Sequence, residues 1–267
     1  MDKNSLVNKY ARNDDEKVGF AHLFDLAERS QNRNIVTSGN FFSESESVSA
    51  SAMLKEAGID SFFYGGYENA ERRCPVFLPD YYIKEDIIND PTLAEIKFLT
   101  YSVDSYFTDA ALSHRDVLGS LMALGIERCT VGDIICNKGE GTIIVRETIA
   151  PFLVENLVKI GRYPVEIKSY DNLKIEKTED FEEHFDTVAS LRLDSVVASF
   201  FSLSRSTATD KITSGLVTVN GVVTVKNSAL VKEGDRIALR GQGRAELEKI
   251  DGLSKKGRTR LLFKKYK

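Results

Sequence analysis

Residues 192–235, RLDSVVASFFSLSRSTATDKITSGLVTVNGVVTVKNSALVKEGD, restrict the fold more than any other part of the chain, because they compress two short helices and a hairpin into one unit. Leu193, Val196, Val197, Phe200 and Phe201 recur at the spacing of a single buried helical stripe, with Arg192 at its flank. Ser204 offers a side-chain oxygen to the free amides of a second helix, which carries Arg205, Ala208, Lys211 and Ile212 and ends at Gly215. Val217 and Val219 then alternate up to Asn220-Gly221, the pair favoured in a two-residue type I′ turn, and Val223 and Val225 continue beyond it. The local pattern is that of a compact, locally basic module of two helices and a hairpin.

The stretches RLD at 192–194, LSRS at 203–206, the run from Ile212 to Gly221 and EGDRI at 233–237 resemble the αL-type RNA-binding module of the fourth small-subunit ribosomal protein, the S-four domain. In that family two helices present basic side chains to structured RNA. The resemblance puts Arg192, Arg205 and Lys211 first as RNA contacts, with Lys226, Arg240 and Arg244 behind them. The helix start at Ser204 and Arg205 is also a natural phosphate site, since unpaired amides and the helix dipole favour an anion.

The charge distribution agrees. Residues 186–267 hold 16 Lys or Arg against 8 Asp or Glu, a net of +8, whereas the preceding 185 residues hold 20 against 32, a net of −12. The overall charge of −4 therefore conceals a basic end on an acidic body, an arrangement able to dock on phosphates by one face. The tail KKGRTRLLFKKYK, 255–267, alternates charge with Leu261, Phe263 and Tyr266 as a strand does. Such a strand either exposes a positive edge to RNA or uses its lysines to keep an edge from aggregating.

With 267 residues, 42% of them hydrophobic, the chain suits two or three small domains. It contains no apolar run long enough for a membrane span and opens on MDKNSLVNKYARNDDEK, which lacks the apolar core of a signal peptide. Cys74, Cys129 and Cys136 are odd in number and without CxxC spacing, as expected of reduced cytoplasmic thiols rather than a disulfide frame or zinc site.

The expected fold class is α+β, in three small domains. Residues 1–88 read as a mostly helical α/β domain. Val18, Ala21, Leu23, Phe24 and Ala27 form one helical face there, Val48, Ala52 and 54–57 form a second, and an aromatic strand with a Gly65-Gly66 turn follows. Residues 89–170 alternate as strand 95–103, helix 113–124, strands 129–137 and 142–147, helix 150–160 and strand 163–168. This βαββαβ order is shared by ferredoxin-like and RNA-recognition (RRM-like) folds. The RNP1 sequence is absent, the third-strand region reading GTIIVRE, which argues against stacking single-stranded RNA on that sheet. Residues 171–185 read as a charged linker, 186–246 as the S-four-type domain and 247–267 as a basic extension.

Motifs suggestive of catalysis have plainer explanations. His114-Arg115-Asp116 is like a kinase catalytic loop, but Leu121 stands where the magnesium-binding Asn belongs. Ser113 and Asp116 instead form a capping box, leaving Arg115 exposed as a further candidate RNA contact. Arg192-Leu193-Asp194 is like the RLD of pseudouridine synthases but lies inside the S-four pattern. Gly139-Glu140-Gly141 is a turn, and His22, His114 and His184 are too scattered to ligate a metal. No catalytic residue, metal site or cofactor is expected.

Upstream, GGYENAERR at 65–73, LSHRDVLGSLMALGIERCTVGDI at 112–134 and LVKIGRYPVEI at 157–167 resemble the bacterial YlmH family, almost end to end. That resemblance implies three domains and no catalysis. It implies association with the large ribosomal subunit through ribosomal RNA and peptidyl-tRNA, in quality control of stalled chains alongside an RqcH-type factor. A cell-division scaffold is the non-enzymatic alternative, and a pseudouridine synthase-like RNA-modifying enzyme the catalytic one.

Overall fold

The computed structural model describes residues 2–107, 111–175 and 181–266. Contacts divide the chain into two compact units, Met1–Lys177 and Thr178–Lys267.

The first unit begins with helices α1 (Lys3–Tyr10) and α2 (Asp14–Arg33); the Asn13 side chain accepts the Glu16 amide and three acidic residues occupy α2's first turn, where the dipole favours them. Phe20, Leu23, Leu26 and Ala27 form its buried stripe, so the face turns away from Val18, which is 73% exposed. Strand β1 (Thr37–Ser38) leads to α3 (Glu44–Glu56), started by a capping box between Ser43 and Glu46. Ala50, Met53 and Leu54 fill its inner side, while Val48 stands outside the stripe. Strands β2 (Phe62–Tyr64) and β3 (Cys74–Phe77) complete a small sheet in the order β1-β3-β2, and helix α4 (Lys84–Asn89) follows.

The remainder of this unit is β4 (Ile96–Val103), α5 (His114–Ala123), β5 (Val131–Asn137), β6 (Glu140–Arg146), α6 (Ala150–Asn156), β7 (Lys159–Ile160) and β8 (Tyr163–Tyr170). The βαββαβ order holds, and the antiparallel sheet runs β5-β6-β4-β8-β7, the arrangement of a split βαβ fold with its first and third strands at the centre.

Both faces of this sheet are covered. Leu99, Tyr101, Ile143 and Val145 pack against Val117 and Leu121 of α5 and Leu153 of α6. On the opposite face Ile96, Phe98 and Ile144 share one cluster with Phe41, Tyr64, Tyr67, Cys74 and Val76, all from the chain before β4. The approach is close, since a Cβ on Gly66 would stand 3.1 Å from the Phe98 ring. The boundary expected at residue 88 therefore runs through a shared core, because neither half alone covers the apolar second face of the sheet. That face is also closed to bases over these residues, in keeping with the missing RNP1 sequence.

The second unit consists of β9 (Phe181–Val188), α7 (Leu193–Phe200), α8 (Arg205–Thr213), β10 (Val217–Val219), β11 (Val222–Val223), β12 (Arg236–Leu239), β13 (Gly243–Leu253) and β14 (Thr259–Tyr266). The stripe Leu193, Val196, Val197, Phe200 and Phe201 is buried to 5% exposure or less. Asn220 and Gly221 both have positive φ, 51° and 76°, and Val219 pairs with Val222, as a type I′ hairpin requires. The sheet order is β11-β10-β12-β13-β14-β9.

Two expectations are corrected here. Part of the anticipated linker, 181–185, is strand β9; its density of charge obscured an alternation that places Phe181 and Phe185 on one face and Val188 in the core. Residues 176–180 of that linker lie outside the described residues. The basic extension is no appendage or edge either: β13 spans the 246/247 boundary and β14 is paired on both sides, with β9 as the edge. Leu261 and Phe263 of β14 belong to the module's core.

Candidate nucleic-acid interface

Helix α7 starts where segment 227–231 is tied to it. The Leu193 amide donates to the Ala229 carbonyl (2.8 Å), the Asp194 amide to the Asn227 carbonyl (3.2 Å), and the Val231 amide to the Leu191 carbonyl (2.9 Å). Lys226, exposed and immediately before Asn227, is thereby held beside the start of α7. The same region carries Arg192 and Arg205 on one carboxylate. Asp194 is 4% exposed; Arg205 donates from Nε and Nη2 to its Oδ2 at 3.1 and 3.0 Å, and Arg192 donates to Oδ1 and Oδ2 at 3.2 Å each. The Ser195 amide adds a further bond to Oδ1 at 2.9 Å. Burial works to raise the pKa of Asp194, but the hydrogen bonds and charges of Arg192 and Arg205 outweigh it and hold the carboxyl below its usual range.

The consequence is electrostatic as well as geometric. Two cations share one buried anion, so the cluster keeps a net positive charge with both guanidinium groups oriented in advance. The Arg192 and Arg205 side chains remain 42% and 55% exposed and thus accessible to a phosphate. Ser204 contributes through backbone order: its hydroxyl accepts the Thr207 amide at 3.0 Å and bonds the Thr207 hydroxyl at 2.8 Å. Its oxygen is committed to capping α8.

The other residues singled out in the sequence fall into separate places. Lys211 lies six positions after Arg205, about 120° round the helix, on the other side of the stripe made by Ala208 and Ile212. It meets Arg240 through the backbone instead. The Leu216 amide donates to the Lys211 carbonyl (3.1 Å), and the Arg240 amide to the Leu216 carbonyl (3.0 Å). Arg244 stands over the Tyr266 ring, 4.6 Å from its centroid, on the sheet face opposite the helices.

In the first unit Arg115 is exposed in the first turn of α5, whose capping box is present: the Asp116 amide donates to the Ser113 hydroxyl (3.3 Å), and the Ser113 amide to the Asp116 carboxylate (2.9 Å). Arg115 lines a cleft with Gly119, Ser120, Leu157, Lys159 and Gly161. Its opposite wall is tied in by the Gly161 amide, which donates to the Ser120 hydroxyl at 3.1 Å. Lys159, absent from the sequence-based candidates, is the second cation of this cleft; its position in a short strand gave no local signal. Among the described residues no group of His, Cys, Asp or Glu is arranged to hold a metal, and no helix is long and apolar enough to cross a membrane.

Comparison with known proteins gives two family matches. Residues 92–174 match "Putative RNA-binding domain in YlmH" and residues 191–237 match the S4 domain. The chain is 34% identical over 230 residues to "Ribosome-associated protein quality control protein P2" of Bacillus subtilis (strain 168), covering 85% of this chain and 86% of that protein. It also resembles the solved structure "Cell division protein ylmH from Streptococcus pneumoniae" at 20% identity and a TM-score of 0.45, over 60% of this chain and 94% of that one. So loose a superposition carries no argument.

Proposed function

The chain belongs to the YlmH family of RNA-binding proteins, and on that premise we propose that it binds the large ribosomal subunit and acts, without catalysis, in quality control of stalled nascent chains. The observation that carries this reading is the Asp194-centred pair Arg192 and Arg205, with Lys226 alongside. Guanidinium groups held in place by a buried carboxylate meet phosphates with little further loss of side-chain freedom, which suits recognition of a folded RNA backbone by shape. Lys211 with Arg240 would extend the contact within the second unit, and Arg115 with Lys159 would offer the first unit a contact of its own. The partners in this reading are large-subunit ribosomal RNA and peptidyl-tRNA, with an RqcH-type factor acting on the same stalled subunit in the cytoplasm.

A non-catalytic role accords with how Asp194 is used: its carboxylate is a buried hub for two arginines and a backbone amide. Sedimentation of a lysate through a sucrose gradient tests the proposal. The protein is expected with large subunits and depleted from the soluble top; recovery only at the top would refute it. Mass mapping of ribosomal RNA with and without the protein tests the enzymatic alternative, and loss of one modified nucleotide would establish it.

A further inference from the structure

The sheet of the second unit has an inner face, covered by α7 and α8, and an outer face that none of that unit's described helices covers. Its composition follows from the register. Along β14, Leu261 and Phe263 point into the core, so Arg260, Leu262, Lys264 and Tyr266 point outward. Their partners on β9 are Thr187, Phe185, Glu183 and Phe181 in turn, and β13 adds Arg244 opposite Tyr266 and Glu246 opposite Lys264.

Rows of rings therefore alternate with rows of charge. Phe181 and Tyr266 meet edge-on with centroids 6.1 Å apart, Lys264 lies 4.8 Å over Phe181, and Arg244 caps Tyr266. Phe185 sits on the same face beside Leu262 and is 77% exposed, and among the described residues no ring or cation lies against it. A phenyl ring so exposed on an edge strand costs solubility. Cations outnumber carboxylates on this face by one: Arg236, Arg244, Lys249, Arg260 and Lys264 against Glu183, Glu246, Glu248 and Asp251, the last 3.8 Å from Lys249. Arg236 and the Tyr266 hydroxyl hold Glu246, Lys264 holds Glu248 and Lys249 holds Asp251, whereas Arg260 has no carboxylate partner among the described residues.

We propose that this outer face is a second RNA surface, one that takes unpaired nucleotides: a base stacks on Phe185 while Arg260, one row away, meets a phosphate, and the Phe181–Tyr266 pair with Lys264 and Arg244 over its rings extends the face. Every base has a π-face, so aromatic side chains interleaved with cations bind single strands with little sequence preference. An acidic peptide would find the cations but would gain nothing specific from the rings; the net positive charge together with flat aromatic faces favours RNA. This surface is distinct from the Arg192 and Arg205 cluster, and its substrate differs in kind: unpaired rather than helical RNA.

The test is fluorescence anisotropy of the full chain with a labelled single-stranded oligouridine and, separately, a labelled RNA hairpin. Phe185→Ala is expected to weaken oligouridine binding by about tenfold and to leave the hairpin near its wild-type affinity. Phe185→Tyr should retain binding, because the π-face remains, and Phe185→Leu should not. Lys211→Glu with Lys226→Glu should show the reverse pattern, weakening the hairpin far more than the oligouridine. Wild-type oligouridine affinity in Phe185→Ala or in Phe185→Leu would overturn the inference, as would no oligouridine binding by the wild-type chain. A hairpin insensitive to the lysine replacements would count instead against the helix-side interface.

Discussion

Arg205 Nη2 lies 3.0 Å from Oδ2 of Asp194, a carboxylate 4% exposed and eleven residues earlier in the chain, so the most prominent RNA-contact candidate is also a structural partner of the module's interior. Binding and stability are consequently linked at this residue.

Replacement of Arg205 by Ala should lower stability, contrary to the expectation for a side chain that merely flanks a helix. The carboxylate keeps Arg192 and the Ser195 amide, and the guanidinium was half-exposed, so the loss should be modest, about 1–2 kcal/mol. Removing Arg192 as well should cost more than the sum of the two single changes, because the buried charge is then left with the Ser195 amide alone among its described partners. Urea unfolding of the single and double variants measures both. Additive losses of a few tenths of a kcal/mol would show the clamp to be irrelevant to stability.

The same carboxylate predicts a pH dependence. Its folded pKa is depressed below the ordinary value of 3.8, so its contribution to stability is fully present above that value and is lost as pH falls through the folded one. Asp194→Asn should therefore be less stable than wild type at neutral pH, and the gap should close on acidification below the ordinary carboxylate range. Thermal unfolding across that range checks this; a gap that widens in acid would contradict it.

Truncation of Phe98 to Ala should destabilise the first unit by about 3–5 kcal/mol, since its ring is fully buried between the strands of the five-stranded sheet and Gly66, Tyr64 and Phe41. For the same reason a fragment beginning at residue 89 should expose the apolar face of β4 and β6 and aggregate. Solubility and hydrogen exchange of that fragment provide the measurement, and a soluble, protected fragment would show that the shared core is dispensable.

How much of this was legible depended on whether the signal was local. The buried stripe of α7, the Asn220-Gly221 turn and the Ser113–Asp116 cap are properties of a few neighbouring residues, and each appears where the spacing places it. The Asp194 clamp was not legible, because it depends on the angle at which two helices meet. Burial of both faces of the middle sheet left a trace in the uninterrupted apolar runs Phe98-Leu99 and Ile143-Ile144-Val145, which a one-sided sheet would not need. Strand β9 was hidden by composition: Glu182, Glu183 and Asp186 suggest a solvated linker, although an edge strand, paired on one side only, accommodates such charges.

RNA binding by the helix side should weaken steeply with salt, and each phosphate-contacting lysine removed should reduce the slope of log K against log salt by about 0.7–0.9. Lys226 is the cleanest probe, being exposed and outside the Asp194 clamp. A slope unchanged in Lys226→Ala would remove this residue from the interface.

The most direct test of the central claim is pelleting of the purified full chain with purified large ribosomal subunits over a salt series, comparing wild type with Lys211→Glu and Lys226→Glu together. The account predicts saturable binding by the wild-type chain at low salt, steep loss as salt rises, and little binding by the double variant although its unfolding transition is unchanged. Equal binding by the two proteins at every salt concentration would contradict it.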